Sequence, residues 1–109
     1  MSEKITFNEF KKLDLRTAKI LGVEDIPRKD RQFKLTVDVG GTQKTLVAGI
    51  KGIYQKEELI GKNIVVVNNL EPRKFDGITS EGMLLAAVDG NNISIVTVDG
   101  KVKAGTKVE

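Results

Sequence analysis

The sequence contains no cysteine and no histidine in its 109 residues. Their absence excludes a disulfide framework, a zinc site built from these two residues, a histidine general base and a thiol nucleophile. No apolar run approaches the roughly 18 residues of a membrane-spanning helix, and the N-terminus lacks the pattern of a secretion signal. We therefore expect a cytoplasmic protein with no metal, no cofactor and no membrane partner.

Aromatic residues and excess charge are also scarce. The chain has four phenylalanines, one tyrosine and no tryptophan, and most of the five rings are expected in the core. This argues against a protein that stacks successive bases of a single strand. Eighteen lysines and arginines stand against fifteen acidic residues, which gives a formal charge of +3. Such a mild excess says little about partners, so the placement of the charges matters more.

Sequence motifs of enzymes are missing as well. Gly61-Lys62 is followed by Asn63 and lacks the upstream glycine of a phosphate-binding P-loop. Glu57 and Glu58 are adjacent on a predicted short helix and point apart, which disfavours an acid-base pair. We therefore expect a non-catalytic protein.

Alternating apolar and polar residues predict five strands and two short helices in one domain, residues 1–109. The strands cover residues 13–26, with a bulge near Gly22, then 33–39, 42–48, 63–67 and 82–88, and the helices cover residues 7–12 and 53–60. A short helix between the third and fourth of five strands is the order of an OB-fold, a Greek-key barrel. The predicted fold class is therefore all-β, with the barrel over residues 13–88.

Both predicted helices have boundary signals. Thr6 and Glu9 have the spacing of a capping box, and Gly61 can end the second helix in a left-handed conformation. Phe7 and Phe10 lie three residues apart and share one face of the first helix. We expect these two rings to plug one end of the core.

Residues 89–109 exceed what a five-stranded barrel needs. Alternating residues 93–98 and 102–108 flank an Asp99-Gly100 turn and predict an extra C-terminal hairpin. This hairpin either caps the barrel or pairs with a second copy of the protein through an exposed strand edge.

The connector between the fourth and fifth predicted strands concentrates hydrogen-bond donors. Its donor side chains are those of Asn68, Asn69, Arg73, Lys74 and Ser80. Pro72 fixes a turn, and Gly77 and Gly82 permit positive φ or close approach of the backbone. A loop with this composition suits a polyanion, and an ordinary polar surface loop is the alternative interpretation.

Several pieces of this stretch match a known family in order and spacing. They are Asn69-Leu70, Pro72-Arg73-Lys74, Gly77 and Ser80-Glu81-Gly82-Met83-Leu84-Leu85-Ala86-Ala87, and Asp14-Leu15-Arg16, Tyr54, Glu57-Glu58-Leu59 and Gly61-Lys62 continue the match. The stretch resembles the tRNA-binding domain of methionyl-tRNA synthetases, which is also found as their separate β subunit and in endothelial-monocyte-activating-polypeptide-like domains. The resemblance implies an OB-fold, tRNA as ligand, a homodimer, and a methionyl-tRNA synthetase catalytic subunit as a candidate partner.

The candidate tRNA-binding residues are polar or cationic. They are Arg73, Lys74, Asn69, Ser80, Lys29, Arg31, Lys34 and Lys44. Arg73 and Lys74 stand beside the rigid Pro72 and can reach adjacent phosphates. Asn69 and Ser80 can donate to phosphates or to 2′-hydroxyl groups.

The other four candidates come from earlier segments. Lys29 and Arg31 add positive charge to a predicted connector over residues 28–32. Lys34 and Lys44 fall on two paired strands and can share an exposed face, although alternation does not fix the register.

Two further residues keep alternative interpretations. Arg16 faces nucleic acid or pairs with a nearby carboxylate, and Phe75 is a loop anchor or a ring that stacks on a base.

The expected function is non-catalytic, largely sequence-independent tRNA binding that assists aminoacylation. A chaperone-like or protein-interaction dimer on the same fold is the alternative.

Overall fold

The computed structural model describes residues 3–109, which form ten strands and two short helices. In chain order they are α1 (Phe7–Phe10), β1 (Leu15–Ile26), β2 (Lys29–Asp38), β3 (Gln43–Ala48), α2 (Lys56–Leu59), β4 (Asn63–Val67), β5 (Arg73–Phe75), β6 (Ile78–Ser80), β7 (Met83–Leu84), β8 (Ala86–Asp89), β9 (Asn92–Ile95) and β10 (Lys107–Val108). The predicted all-β class is confirmed. Within residues 3–109, no helix combines the length and the apolar character needed to cross a membrane.

The long strand β1 organises the main sheet. Its first part pairs with β4 from Leu15 to Lys19, and its second part pairs with β2 from Lys19 to Ile26. The register with β2 shifts between Ile20 and Gly22, so the predicted bulge is confirmed, and a bulge bends the strand. The strand order is β3-β2-β1-β4-β7, with β10 also paired to β1, and this path does not close into a complete barrel.

The inward faces of these strands form the core. Its fully buried side chains include Ile20, Leu35, Leu46 and Ile64, and Leu59 of α2 joins them. Burial of side chains of this size contributes roughly 1.5–3 kcal/mol each. The buried side chains of the strands are therefore those at the alternating apolar positions from which the strands were predicted.

The turn between β1 and β2 is shorter than the sequence indicated. Only Pro27 and Arg28 connect the two strands, because Lys29 already pairs with Ile26. The predicted connector over residues 28–32 is therefore wrong, and a register shift in the ladder accommodates residues 30–32. Arg28 adopts a φ of 67°, which is uncommon for a residue other than glycine.

Helix α1 is capped as predicted, but its rings are not buried. Glu9 N–H donates to the Thr6 hydroxyl at 3.1 Å, and Thr6 N–H donates to the Glu9 carboxylate at 3.0 Å. Phe7 is 72% exposed and Phe10 is half-buried, with ring centroids 6.4 Å apart. The prediction that the two rings plug the core is therefore wrong.

The C-terminal segment lies along β1 at the end of the sheet nearest to α1. β10 pairs with Leu15 and Arg16. Gly105 N–H donates to the Thr17 carbonyl at 2.7 Å, and Thr17 N–H donates to the Thr106 carbonyl at 2.8 Å. The predicted hairpin between residues 93–98 and 102–108 is therefore wrong, because β9 pairs with β8 and β10 pairs with β1.

Gly105→Ala is expected to lower the free energy of unfolding by about 2 kcal/mol or more, because a side chain there is strained at positive φ. Gly105 has a φ of 84°, and a Cβ atom would lie 2.7 Å from the Gly40 Cα. Urea denaturation measures the loss. Gly100→Ala is the control, since a Cβ at Gly100 meets no atom within 4 Å. Equal stability of the two variants would contradict this close approach.

Candidate nucleic-acid interface

Residues 68–82 carry a β-hairpin instead of the irregular connector suggested by the sequence. β5 pairs with β6 around Asp76 and Gly77. These two residues have φ values of 49° and 84°, which are typical of the tight turn that Asp-Gly forms in hairpins. The segment therefore presents its side chains from two short, paired strands.

The two faces of this hairpin have different surroundings. Directly paired residues of antiparallel strands project to the same side, so Arg73 lies on the side of Ser80, its partner, and Phe75 shares that side. Lys74 and Thr79 pair on the opposite side, and both are exposed. Arg73 and Lys74 therefore point in opposite directions.

The hairpin is joined to β3 by a set of hydrogen bonds that we call the β3 seam. Val47 N–H donates to the Ser80 hydroxyl at 3.0 Å, and Thr45 N–H donates to the Glu81 carboxylate at 2.9 Å. In return, Glu81 N–H donates to the Thr45 carbonyl at 2.8 Å. In the described chain β3 forms a regular ladder with β2 alone. The seam therefore satisfies backbone groups on the other edge of β3.

Ser80 is part of the fold at this seam. Its side chain is buried, and its hydroxyl also donates to the Gly82 carbonyl at 3.0 Å. Gly82 is equally constrained, because a Cβ there would lie 3.0 Å from the Val67 carbonyl oxygen and 3.3 Å from Leu46. RNA contact by Ser80 stays an untested prediction, while its position gives the hydroxyl a structural role.

Asn68 and Asn69 connect the start of the hairpin segment to Asp14. The Asn68 Nδ2 donates to the Asp14 carboxylate at 2.9 Å, and Asp14 N–H donates to the Asn69 Oδ1 at 2.9 Å. The Asn69 Nδ2 donates to the Lys12 carbonyl at 2.7 Å, so both ends of this amide already have partners. Arg16 Nε lies 2.7 Å from the Asp14 carboxylate. Of the two interpretations of Arg16, the structure therefore supports pairing with a nearby carboxylate.

An open groove of about 90 Å³ lies between the hairpin and β3. We call it the hairpin groove, and its lining residues are Val47, Leu70, Glu71, Arg73, Phe75, Ser80, Gly82 and Met83. The Arg73 guanidinium lies 5.2 Å from the centroid of the Phe75 ring, a distance suited to a cation–π contact. The groove thus combines apolar walls with one planar cation.

Lys34 pairs with a residue that lines the hairpin groove, whereas Lys44 lies on the other face of the sheet. Lys34 pairs directly with Val47, so both project from the outer face of the sheet. Lys44 pairs with the buried Val37 and therefore lies on the opposite face. There its Nζ donates to the Asn68 carbonyl at 3.1 Å. The predicted face shared by Lys34 and Lys44 is wrong.

Lys29 and Arg31 are also separated. Lys29 Nζ lies 3.3 Å from the Asp76 carboxylate, which links the turn after β1 to the tip of the hairpin. Arg31 is exposed and borders another groove, together with Lys51 and Gly52. Of the eight predicted site residues, Arg73, Lys74 and Ser80 lie on the hairpin itself. Lys29 contacts its tip, and Lys34 pairs with Val47 of β3.

A second group of cations is partly neutralised. Lys56 donates to the Asp25 carboxylate at 3.0 Å, and Lys51 lies 3.1 Å from the same group. The hydrogen bond from Lys56, followed by that from Lys51, lowers the pKa of the Asp25 carboxyl. No cluster of acidic residues able to hold a metal ion occurs in the part of the chain that the structure describes.

Sequence reasoning missed the groove itself. Val47 and Glu71 were not singled out, although both line the groove and Val47 pairs with Lys34. The available signal was the Asp76-Gly77 pair, which is a strong two-residue hairpin signal. A hairpin assigned there would have put Arg73 and Phe75 on one face.

The chain is similar to known proteins in both sequence and structure. A family model described as a putative tRNA binding domain matches residues 15–107. The chain belongs to this family. It is 48% identical over 104 residues to the methionine–tRNA ligase of Nanoarchaeum equitans, a match that covers 95% of this chain but 13% of that protein.

Two solved structures share the fold of this tRNA-binding-domain chain. The methionyl-tRNA-synthetase-related protein from Pyrococcus horikoshii superposes with a TM-score of 0.93 at 34% identity, covering 99% of this chain and 100% of that one. The CsaA chaperone protein from Picrophilus torridus gives a TM-score of 0.89 at 33% identity, covering 97% and 100%. The OB-like arrangement predicted from the strand order agrees with these matches.

The residues that carry the family resemblance build the groove in this structure. Ser80 and Glu81 form the β3 seam, Gly82 allows the close approach to β4, and Asn69 fastens the hairpin segment to residues 12–14. Gly77 forms the hairpin turn. The polar pieces of the signature therefore place Arg73 and Lys74 at defined positions.

Asp14→Asn is expected to destabilise the protein at neutral pH by about 1.5 kcal/mol, the lower end of the range for hydrogen bonds to a charged group, because Asp14 is partly exposed. The hydrogen bond from Asn68, followed by the hydrogen bond and charge of Arg16, holds the pKa of Asp14 below its usual 3.8. The folded state thus favours the ionised carboxylate, and its contribution is lost as pH falls below about 3.8 through the folded pKa.

Urea denaturation between pH 7 and pH 2.5 measures this effect. The difference between the wild type and Asp14→Asn is expected to shrink at the acidic end. Asp99→Asn, at an exposed turn, is the matched control and is expected to change little. A difference that stays constant with pH would contradict the role of the Asp14 charge.

Proposed function

We propose that this member of the putative tRNA-binding-domain family binds tRNA without catalysis and largely without reading sequence. The observation that carries the proposal is a set of cations on the hairpin and on the neighbouring outer face of β2. Lys34, Arg73 and Lys74 form no ion pair with a carboxylate among residues 3–109. Cations without an internal partner are available to phosphate oxygens.

The position of these cations supports the proposal. OB-folds bind oligonucleotides on the face of their second and third strands and through the loop between the fourth and fifth. Lys34 lies on β2, and Arg73 and Lys74 lie on the hairpin between β4 and β7. Contacts from such groups to phosphates fix orientation but carry no sequence information, so different tRNAs are expected to bind alike.

The relatives suggest where this binding is used. The matched methionine–tRNA ligases are much longer than this chain, which covers 13% of one and 15% of another. We propose that the chain acts in the cytoplasm with a methionyl-tRNA synthetase catalytic subunit. A weak general site tethered to a specific one raises the local concentration of tRNA without new specific contacts.

We also propose that two copies associate through the surface around α1. Phe7, Phe10, Leu13 and Val108 line an open groove of about 390 Å³. Phe7 is 72% exposed and Leu13 is 42% exposed, and grouped apolar side chains of this kind are typical of interfaces. A dimer would place two RNA-binding faces on one particle.

Phe7→Glu is expected to shift the protein toward monomers, because a charge at the centre of an apolar interface is not compensated. Sedimentation equilibrium measures the mass. Ile60→Glu, which alters a residue that is 53% exposed next to α2, is the control and is expected to keep the wild-type mass. A dimer that survives Phe7→Glu would place the interface elsewhere.

The double variant Lys34→Ala, Lys74→Ala is expected to weaken the binding of several different tRNAs to the same extent. Loss of two phosphate contacts is expected to lower the slope of log K against log salt by about 2. Fluorescence anisotropy of labelled tRNA at several salt concentrations measures both quantities. The control removes the same charge by Lys101→Ala and Lys103→Ala, two exposed residues between β9 and β10.

Competition experiments separate this function from the alternative. The similarity to a CsaA chaperone protein favours peptide binding as the second candidate. Displacement of labelled tRNA by unlabelled tRNA, and not by unfolded peptide, supports the tRNA-binding proposal. Failure of the wild type to bind tRNA at low salt would overturn it.

A further inference from the structure

Phe75 is neither a core anchor nor a fully exposed ring. It is half-buried, lies outside the buried core cluster and lines the hairpin groove beside Val47. Two other lining residues, Leu70 and Met83, are 40% and 45% exposed. The ring of Phe75, with Arg73 over it at 5.2 Å, therefore borders an apolar slot that is open to solvent.

The chemistry of this slot favours a nitrogen heterocycle over a phosphate. Its walls at Val47 and Leu70 are apolar, and the Glu71 carboxylate on its border repels an anion. A nucleobase has a flat face that stacks on an aromatic ring or a guanidinium plane. It also has N–H groups on its edge, which a carboxylate accepts. All of these features match a base.

We propose that the hairpin groove binds one unpaired nucleobase of the RNA, stacked against Phe75 and Arg73, with Glu71 accepting an N–H from its edge. This inference rests on the proposed tRNA-binding function and adds a base-binding subsite to it. The base is unpaired because a helix hides both the faces and the pairing edge of its bases. It is single because Phe75 is the only aromatic residue among those lining this small groove.

The hairpin holds this subsite in place before RNA arrives. The Asp76-Gly77 turn shapes the tip, where Lys29 also pairs with Asp76, and the β3 seam fixes the other end at Ser80. A preformed site loses less conformational freedom on binding. Lys34, which pairs with the lining residue Val47, and Lys74 on the far face of the hairpin are available to phosphates on either side of the bound base.

The lack of tryptophan in the chain allows a direct optical test. Phe75→Trp introduces a single indole into the groove, and titration with tRNA is expected to quench its emission and to shield it from acrylamide. Ile60→Trp is the control, because it places the indole at an exposed position next to α2 and outside the groove lining. Once both titrations are corrected for the light that the RNA absorbs, the emission of Ile60→Trp is expected to stay constant.

Measurements of the affinity for tRNA provide a second test. Phe75→Leu keeps an apolar side chain but removes the stacking surface, and it is expected to raise the Kd for tRNA by about fivefold to a hundredfold with an unchanged salt slope. Phe75→Tyr retains the ring and is expected to bind as the wild type does. Binding of a blunt, fully paired RNA duplex is expected to be insensitive to both changes. Circular dichroism checks that each variant is folded.

The outcomes separate this inference from the proposed function. Labelled tRNA that binds the wild type, leaves the Phe75→Trp emission unchanged and binds Phe75→Leu with wild-type affinity would overturn the base subsite alone. Quenching confined to Phe75→Trp, together with weaker binding by Phe75→Leu, would support it. Absence of tRNA binding by the wild type would overturn the function and the subsite together.

Discussion

The arrangement around the hairpin depends on the β3 seam. Ser80 and Glu81 use side-chain oxygens to satisfy backbone donors of β3, where a regular strand would otherwise pair. Side-chain bonds of this kind hold the hairpin against the sheet without extending the sheet. The space that a continuous strand would fill therefore stays open as the hairpin groove, with Arg73 and Phe75 on its border.

This arrangement divides the polar residues of the segment into two groups. The side chains of Asn69 and Ser80 each have two hydrogen-bond partners in the fold. Ser80 is buried, so a phosphate that drew its hydroxyl away would leave a buried partner unsatisfied, at a cost of about 1–3 kcal/mol. Lys74 is exposed and Lys34 is half-buried without an ion pair in the described residues, so both are available. In this segment the amide and the hydroxyl have structural roles, and the cations are the groups that we propose contact phosphate.

Features set by local chemistry could be predicted from the sequence, including the bulge at Gly22 and the capping box at Thr6. The hairpin of β5 and β6 was hidden because strands of three residues are too short to show alternation. The faces of Lys34 and Lys44 depended on register, which alternation does not fix. Phe7 and Phe10 lie three residues apart, and this spacing occurs both on helix faces that pack in a core and on exposed faces that form interfaces. The spacing alone therefore does not predict which of the two applies.

The electrostatics of binding follow from local placement and not from the total charge. At physiological salt, charges interact over a Debye length of about 8 Å, so the acidic residues on other faces have little effect on a phosphate near Lys34. A formal charge of +3 is therefore compatible with an effective RNA-binding face. A face that offers so few cations to phosphates is expected to bind weakly by itself. Two such faces in one dimer, or one face tethered to a synthetase, would supply the missing affinity through effective concentration.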